Sequence, residues 1–88
     1  MIMFSVEFSR RAGKFVESAP RDAARRLISA ADALRKEPFP RGAIKVKGTG
    51  SVFRIRVGAY RITYEIYFDR QAILIADVDK RGRIYENF

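Results

Sequence analysis

The feature that most limits the fold of this chain is a β-hairpin encoded by two alternating stretches around a Gly-Ala dipeptide. Val52 to Val57 and Tyr60 to Phe68 alternate apolar and polar residues with the period of a strand. Gly58-Ala59 lies between them and puts glycine at the first central position of a two-residue turn, as a type II′ turn prefers. A turn of this length determines which residues face one another across the two strands.

The predicted register separates apolar from charged side chains. It opposes Val57 to Tyr60, Arg56 to Arg61, Ile55 to Ile62, Arg54 to Thr63 and Phe53 to Tyr64. The large apolar side chains then share one face, and the three arginines share the other. Like charges directly opposite each other destabilise a sheet by roughly a few tenths to 1 kcal/mol. We therefore expect this face to bind an anionic partner, for which a phosphate backbone is the simplest candidate.

Composition limits the classes of protein and of chemistry. The 88 residues are enough for one domain, spanning residues 1–88, with a single core. The net charge of +8 favours nucleic acid, an anionic membrane or an acidic protein as partner. Cysteine and histidine are absent, which removes disulfides, thiolate ligands and the usual general base near neutral pH. We expect neither a metal ion nor another cofactor.

No apolar run approaches the roughly 20 residues of a membrane-spanning helix, and the N-terminus lacks the pattern of a signal peptide. These observations predict a cytoplasmic protein that does not contact the membrane.

The order of elements predicts the fold class. An alternating strand, Ile2 to Phe8, precedes Ser9, which is a candidate N-cap for a short helix. A second helix begins at Pro20 and has an apolar stripe and an arginine-rich face. The stripe comprises Ala24, Leu27, Ile28, Ala31 and Leu34, and the exposed face comprises Arg21, Arg25, Arg26 and Arg35.

Strands fill the second half of the chain. A short strand at Ala43 to Lys47 precedes the hairpin, and Ala72 to Val78 is apolar enough to predict a central strand buried on both faces. The fold class is therefore α+β, with an N-terminal strand, a two-helix hairpin, and antiparallel strands in a twisted four- to five-stranded sheet whose helices cover one face. Lys45 and Lys47 join the arginines on the other face if Ile44 and Val46 point to the core.

These residues resemble the RelE/ParE superfamily of toxins from prokaryotic toxin–antitoxin modules, and the RelE branch in particular. The resemblance covers nearly the whole chain. It rests on the order of elements, the Lys-x-Lys-Gly segment at 45–48, the hairpin from Phe53 to Arg61, and the terminal Lys-Arg-Gly-Arg-Ile-Tyr at 80–85. It implies a metal-independent endoribonuclease that cuts messenger RNA in the ribosomal A site through attack of a 2′-OH on the adjacent phosphate. It also implies an antitoxin that holds the toxin inactive.

The resemblance assigns roles to individual positions. Arg54 and Arg56 match basic catalytic residues of the family, and Arg61 matches a phosphate-binding arginine. Arg81 matches an arginine that stabilises charge and protonates the leaving group. Tyr85 matches a tyrosine that orients or stacks on the substrate. Lys45, Lys47, Lys80 and Arg83 are the further candidates for binding RNA. Many members of the superfamily have an acidic residue where this chain has Ala59, which we interpret as variation of the turn.

The general base stays open at this point, because an arginine with a pKa above about 12 is a poor proton acceptor. Lys45 or Lys47, Glu65, and positioning without a true base are the three possibilities. Two other functions also stay open: a ParE-like toxin that poisons DNA gyrase, and a protein that binds RNA or the ribosome without cutting. Each toxin hypothesis predicts an acidic, amphipathic antitoxin that wraps the basic surface.

Overall fold

The computed structural model of the protein describes residues 3–48 and 50–80. The elements within these ranges are β1 (Ser5–Phe8), α1 (Arg10–Ser18), α2 (Arg21–Ala33), β2 (Ile44–Lys45), β3 (Val52–Val57), β4 (Tyr60–Tyr67) and β5 (Ala72–Lys80). The strands form a five-stranded sheet in the order β1-β5-β4-β3-β2, in which β1 is parallel to β5 and the other pairs are antiparallel. The predicted α+β fold class is confirmed.

Ser9 joins β1 to α1 and connects the helix to the sheet. Its Oγ accepts a hydrogen bond from the backbone N–H of Ala12 at 3.0 Å, which satisfies one of the free N–H groups in the first helical turn. The same hydroxyl donates to the carbonyl oxygen of Ala76 in β5 at 2.8 Å. The predicted N-cap is therefore confirmed, and it also anchors α1 to a central strand.

The buried stripe of α2 is narrower than its apolar residues suggest. Ala23, Leu27, Ala31 and Leu34 are buried, whereas Ile28 is 51% exposed, so its predicted place in the stripe is wrong. Successive residues lie about 100° apart around a helix, and Leu27 already occupies the centre of the buried face. The arginines of this segment are exposed as predicted: Arg21, Arg25, Arg26 and Arg35. Within the described ranges, neither helix has the length and hydropathy needed to cross a membrane.

The β3–β4 hairpin has the predicted register from Val57 opposite Tyr60 outward to Phe53 opposite Tyr64. Gly58 has a φ of +61°, as the first central residue of a type II′ turn requires. Because side chains alternate between faces, this register sends the apolar residues of both strands towards the helices.

The core lies between the two helices and the helix-covered face of the sheet. Its buried members are Ala12, Val16, Leu27, Ala31, Leu34, Ile55, Ile62, Tyr64, Ile66, Ile73, Ile75 and Val78. Full burial of one large aliphatic side chain contributes about 1.5–3 kcal/mol. Tyr64 is the polar exception, and its hydroxyl donates a hydrogen bond to the carbonyl oxygen of Pro38 at 2.7 Å. Burial raises the pKa of Tyr64 to about 12 from its ordinary value of 10.0.

Only one face of β5 is buried, although the strand lies between β1 and β4. Ile73, Ile75 and Val78 are buried, while Leu74 and Ala76 are partly exposed. The prediction of burial on both faces is therefore wrong, because the helices cover one side of the sheet and the other side has no second layer within the described ranges.

A β-bulge interrupts the pairing of β5 with β4. Tyr64 pairs with Ile75, but its neighbour Thr63 pairs with Asp77, so Ala76 is an extra residue on β5. An extra residue reverses the alternation of side chains beyond it.

The bulge decides which side chains of β5 face the core. Beyond it, Val78 lies opposite Ile62 in the core, while Asp77 and Asp79 lie on the face that the helices leave uncovered. Without the extra residue, the two aspartates would point at the helices and Val78 would point at solvent.

Candidate functional site

The uncovered side of the sheet, opposite the helices, is formed by Arg54, Arg56 and Arg61 together with Thr63, and we call it the arginine face. Arg56 lies directly opposite Arg61 and Arg54 lies opposite Thr63 across the β3–β4 ladder. Rows that lie two residues apart along a strand are separated by about 7 Å. The three guanidinium groups therefore come from neighbouring positions on one surface, as the sequence predicted.

The arginine face continues into β5, where it becomes mixed in charge. Asp79 lies beside Arg61 in the next strand, so Arg56, Arg61 and Asp79 form one row across β3, β4 and β5. Arg61 Nη2 is 3.6 Å from Asp79 Oδ2. Asp77 lies in the neighbouring row and pairs with Arg11 of α1, with Nε 3.7 Å from Oδ1.

The charge of Arg54 and Arg56 is not balanced in the same way. Neither guanidinium forms an ion pair with a carboxylate in residues 3–48 and 50–80. Arg56 is exposed and Arg54 is half-buried. These two side chains therefore offer hydrogen-bond donors and positive charge to a ligand, in the bidentate geometry that guanidinium groups form with phosphate oxygens.

A groove of about 760 Å³ borders the arginine face along β3. It exists because β2 pairs with β3 at Phe53 and Arg54, and no strand of the described ranges covers the edge of β3 from Ile55 to Val57. The end of α2 and the loop that follows it form the opposite wall. Arginines from three parts of the chain line the groove: Arg41, Arg54, Arg56 and Arg61. Its apolar wall includes Ile44 and Pro40.

Sequence reasoning did not identify Arg41. This residue lies in the loop between α2 and β2, where no periodic pattern assigns it to a face. Its place at the groove depends on how the loop packs beside β3, so the local sequence contains no signal for it.

The expected contribution of Lys45 to the arginine face is wrong. β2 pairs Ile44 with Arg54 and Lys45 with Phe53, so Ile44 shares the side of the arginines and Lys45 shares the side of the apolar residues. Ile44 is accordingly 58% exposed. The register of this short edge strand is determined by β3, and it overrides the preference of Ile44 for the core.

Lys47 and Lys80 are both exposed. Lys47 follows β2 in a turn, where no strand register assigns it to a face. Lys80 is the last residue of β5 and pairs with Tyr60, which packs on the helix-covered side, so its expected place on the arginine face is wrong. Lys80 borders a small pocket with Phe15 and Pro20 instead. Three of the predicted site residues lie outside the described residues: Arg81, Arg83 and Tyr85.

Glu65, one of the candidate bases, is engaged at the opposite end of the arginine face. Its carboxylate accepts hydrogen bonds from Tyr67 at 3.0 Å and from Ser51 at 3.4 Å. The bond from the Tyr67 hydroxyl raises the pKa of Tyr67. Glu65 lies two rows from the Arg56–Arg61 pair, which is about 14 Å along the strand.

The chain is similar to known proteins in both sequence and fold. The model of one protein family, the ParE toxin of type II toxin–antitoxin systems (parDE), matches residues 6–85. A curated protein of Methanocaldococcus jannaschii that carries the name toxin RelE1 is 26% identical over 87 residues, which span 96% of this chain and 97% of that protein.

Solved structures share the fold. A chain of the archaeal RelE–RelB complex from Pyrococcus horikoshii is 32% identical with a TM-score of 0.82, over 93% of this chain and 99% of its own length. A chain of the toxin–antitoxin complex RelBE2 from Mycobacterium tuberculosis is 24% identical with a TM-score of 0.80, over 91% of this chain and all of its own length.

Proposed function

Because the chain belongs to the ParE toxin family of type II toxin–antitoxin systems, we propose that it is a ribosome-dependent endoribonuclease that cuts messenger RNA in the A site without a metal ion. The observation that carries the proposal is the arginine face with its groove. Arg54 and Arg56 have no carboxylate partner among the described residues, lie beside Arg61, and border a cavity of about 760 Å³. An RNA phosphate flanked by sugar and base fits this combination of cations and apolar wall.

For this reaction the protein must stabilise the negative charge on the phosphate oxygens and hold the attacking and leaving oxygens in line. RNA supplies its own nucleophile, since its 2′-OH attacks the adjacent phosphorus when the attacking and leaving oxygens are in line. In this proposal Arg56 and Arg61 donate hydrogen bonds to the two non-bridging oxygens, whose negative charge grows in the transition state. Arg54 holds a neighbouring phosphate, and Arg41 contacts the strand at the far side of the groove.

The C-terminal residues complete the proposed site. The resemblance assigns Arg81 to the leaving oxygen and Tyr85 to a base or sugar of the substrate. The remaining basic candidates, Lys47 and Arg83, contact the flanking RNA in this proposal. Arginines position a phosphate well but accept protons poorly. We therefore expect cleavage to depend on the cytoplasmic ribosome, which supplies the in-line geometry of the messenger that these arginines alone do not impose.

The proposal includes an antitoxin partner. Chains of similar fold are described in complexes with RelB or as part of a toxin–antitoxin complex. A net charge of +8 and an uncovered arginine face favour a partner with acidic and amphipathic segments that folds across the surface and blocks RNA. A short reading frame for such a protein beside this gene is the simplest genomic test.

Cleavage of a messenger on programmed ribosomes tests the enzymatic proposal. Arg61→Ala combined with Arg81→Ala is expected to slow cleavage by at least about 100-fold, because it removes two donors to the transition state. Arg25→Ala is the matched control, since it removes an equal charge from the exposed face of α2. Unchanged cleavage and unchanged growth inhibition by the double variant would contradict the proposal.

Inhibition of DNA gyrase is the second candidate, and the match to the ParE family model favours it. Induction of the protein followed by measurement of plasmid supercoiling and of messenger integrity separates the two functions. Loss of supercoiling with intact messengers supports gyrase as the target. Tight, salt-sensitive binding to programmed ribosomes with intact messenger and normal supercoiling supports a protein that binds without cutting.

A further inference from the structure

The proposed cleavage needs a group that accepts the proton of the attacking 2′-OH, and the candidates from the sequence are poorly placed for this. Lys45 lies on the other side of the sheet from the arginines. Glu65 is two rows away and already accepts hydrogen bonds from Tyr67 and Ser51. Guanidinium groups stay protonated in proteins. Lys47 follows β2 in a turn, and no strand register places it beside the Arg56–Arg61 pair. The proton acceptor is therefore to be sought among other residues beside that pair.

Asp79 is the carboxylate in the row of that pair. The bulge at Ala76 turns it onto the arginine face, directly beside Arg61 in the β4–β5 ladder. Its Oδ2 is 3.6 Å from Arg61 Nη2, and its side chain is 31% exposed. This distance is longer than a hydrogen bond. The guanidinium therefore lies beside the carboxylate while leaving the lone pairs of Oδ2 available to a ligand.

The other carboxylate oxygen shows that Asp79 is not a fully satisfied structural ion pair. Oδ1 is shielded from solvent and has no hydrogen-bond donor among residues 3–48 and 50–80. A buried acceptor without a donor destabilises the folded state, so this carboxylate contributes little to stability in its present position. The solvent-accessible part of the group is consequently on the side of Oδ2 and Arg61.

We propose that Asp79 is the general base of the cleavage reaction, an inference that rests on the proposed function. Asp79 Oδ2 takes the proton from the 2′-OH as the 2′-oxygen forms its bond to phosphorus. The bond from phosphorus to the 5′-oxygen breaks, and that oxygen takes a proton from water. The products are a 2′,3′-cyclic phosphate and a 5′-hydroxyl, and Asp79 returns its proton to solvent. Arg56 and Arg61 neutralise the phosphorane-like state between these events.

Asp77 is a suitable comparison because it is the same residue type, two positions away on the same strand and face. It differs in its partners, since it lies in the row of Thr63 and pairs with Arg11 from α1. It is thus farther from the Arg56–Arg61 pair and already occupied by a cation outside the arginine face.

The test compares Asp79→Asn and Asp77→Asn on ribosomes programmed with one messenger. Asp79→Asn is expected to lower kcat by about 100-fold or more, as loss of a general base does, whereas Asp77→Asn stays close to wild type. Asp79→Glu keeps the carboxylate one methylene further out and is expected to recover part of the rate. Thermal unfolding verifies that each variant is folded, and Asp79→Ser replaces Asp79→Asn if the amide prevents folding.

Binding distinguishes proton transfer from positioning of Arg61. With a messenger whose scissile nucleotide carries a 2′-deoxy sugar, Asp79→Asn is expected to bind as tightly as wild type or more tightly, since a negative charge is lost beside Arg61. Weaker binding in parallel with slower cleavage would mean that Asp79 only positions Arg61, and wild-type cleavage by Asp79→Asn would remove any role. Either of these two results would overturn the role of Asp79 as general base and leave the proposed endoribonuclease function intact. Failure of the wild type to cleave overturns the proposed function as well.

Discussion

The two faces of the sheet are built from alternate residues of the same strands. They differ in how many of their side chains find burial, a hydrogen-bond partner or an ion-pair partner within the protein. On the helix-covered face, Ile62 and Tyr64 are fully buried, and the hydroxyl of Tyr64 has a backbone acceptor. On the arginine face, Arg56 opposes Arg61, and Arg54 has no ion-pair partner among the described residues. The first face accounts for stability, and the second leaves charge for a ligand.

The difference shows that a single hairpin register serves both purposes at once. A pair of like charges costs the fold roughly a few tenths to 1 kcal/mol, which is small beside the burial of one core side chain at about 1.5–3 kcal/mol. The core face can therefore support an arginine face that is unfavourable on its own. Mutations in neighbouring residues of one strand should separate the two contributions.

The largest effect is expected from Ile62→Ala on the helix-covered face. Removing a fully buried aliphatic side chain leaves a cavity and lowers the free energy of unfolding by about 2–5 kcal/mol. The neighbouring substitution Thr63→Ala, on the arginine face, is expected to cost about 1 kcal/mol or less. Urea denaturation measures both, and equal losses would contradict the division between the faces.

Tyr64→Phe is expected to lower the free energy of unfolding by about 1–3 kcal/mol, because it leaves the Pro38 carbonyl without its donor. The folded state raises the pKa of Tyr64 from 10.0 to about 12. Unfolded chains thus lose this proton first, so the associated stability is complete below pH 10 and falls as the pH rises towards 12.

Denaturation at several alkaline pH values tests the role of Tyr64. The Phe variant should lack part of the alkaline loss of stability that the wild type shows. The pKa of Tyr67 is also raised, by its hydrogen bond to Glu65, so Tyr67→Phe should remove only the share of that loss that its own hydroxyl contributes. A Tyr64→Phe variant with the full alkaline dependence would contradict burial of the hydroxyl as its source.

Gly58→Ala tests the turn that aligns both faces and is expected to destabilise by about 1 kcal/mol, because φ at this position is +61°. A Cβ there would also lie 3.2 Å from Arg26 Nη1, a contact that the flexible arginine can relieve. Gly13→Ala in α1 is the matched control. Its Cβ has open space, and a helical alanine should stabilise by roughly 0.5–1 kcal/mol. Thermal unfolding of the two variants should therefore shift in opposite directions.

The smallest effect has the opposite sign. Arg56→Thr removes the like-charge pair from the hairpin and is expected to raise the free energy of unfolding by roughly a few tenths of a kcal/mol to 1 kcal/mol. The same variant should bind RNA more weakly. Arg25→Gln, which removes a charge from α2, should change neither property. A destabilised Arg56→Thr protein would show that the arginine face contributes to the fold after all.

Local sequence patterns predicted much of the candidate site and some of the helix boundaries. The two-residue turn was enough to pair Arg56 with Arg61, because a hairpin of this length admits one register. Ser9 was identified as an N-cap because the interaction spans only three residues. Lys45 was expected on the arginine face only if Ile44 pointed to the core, and the register of β2 against β3 does not meet that condition. The alternation of this short segment does not determine that register.

Other parts of the site arise from contacts between distant segments. Arg41 reaches the groove through packing of the loop beside β3, and Asp79 reaches Arg61 through the bulge at Ala76. Neither position follows from the residues around it. A bulge forms where one strand has an extra residue between two positions that pair with its neighbour. The place of that extra residue depends on both strands and on the helices that pack against them.

The sequence by itself determined the turn at Gly58 and the separation of arginines from apolar residues along β3 and β4, because each depends on interactions within a few residues. The order of the predicted strands and helices was enough to indicate the α+β class. The tertiary structure decided that β2 turns Lys45 away from the arginines, that Arg41 borders the groove, and that Asp79 lies beside Arg61. These features depend on strand registers and loop packing between segments far apart in the chain. The contacts that fix them form only when the core assembles, so no local stretch of sequence predicts them.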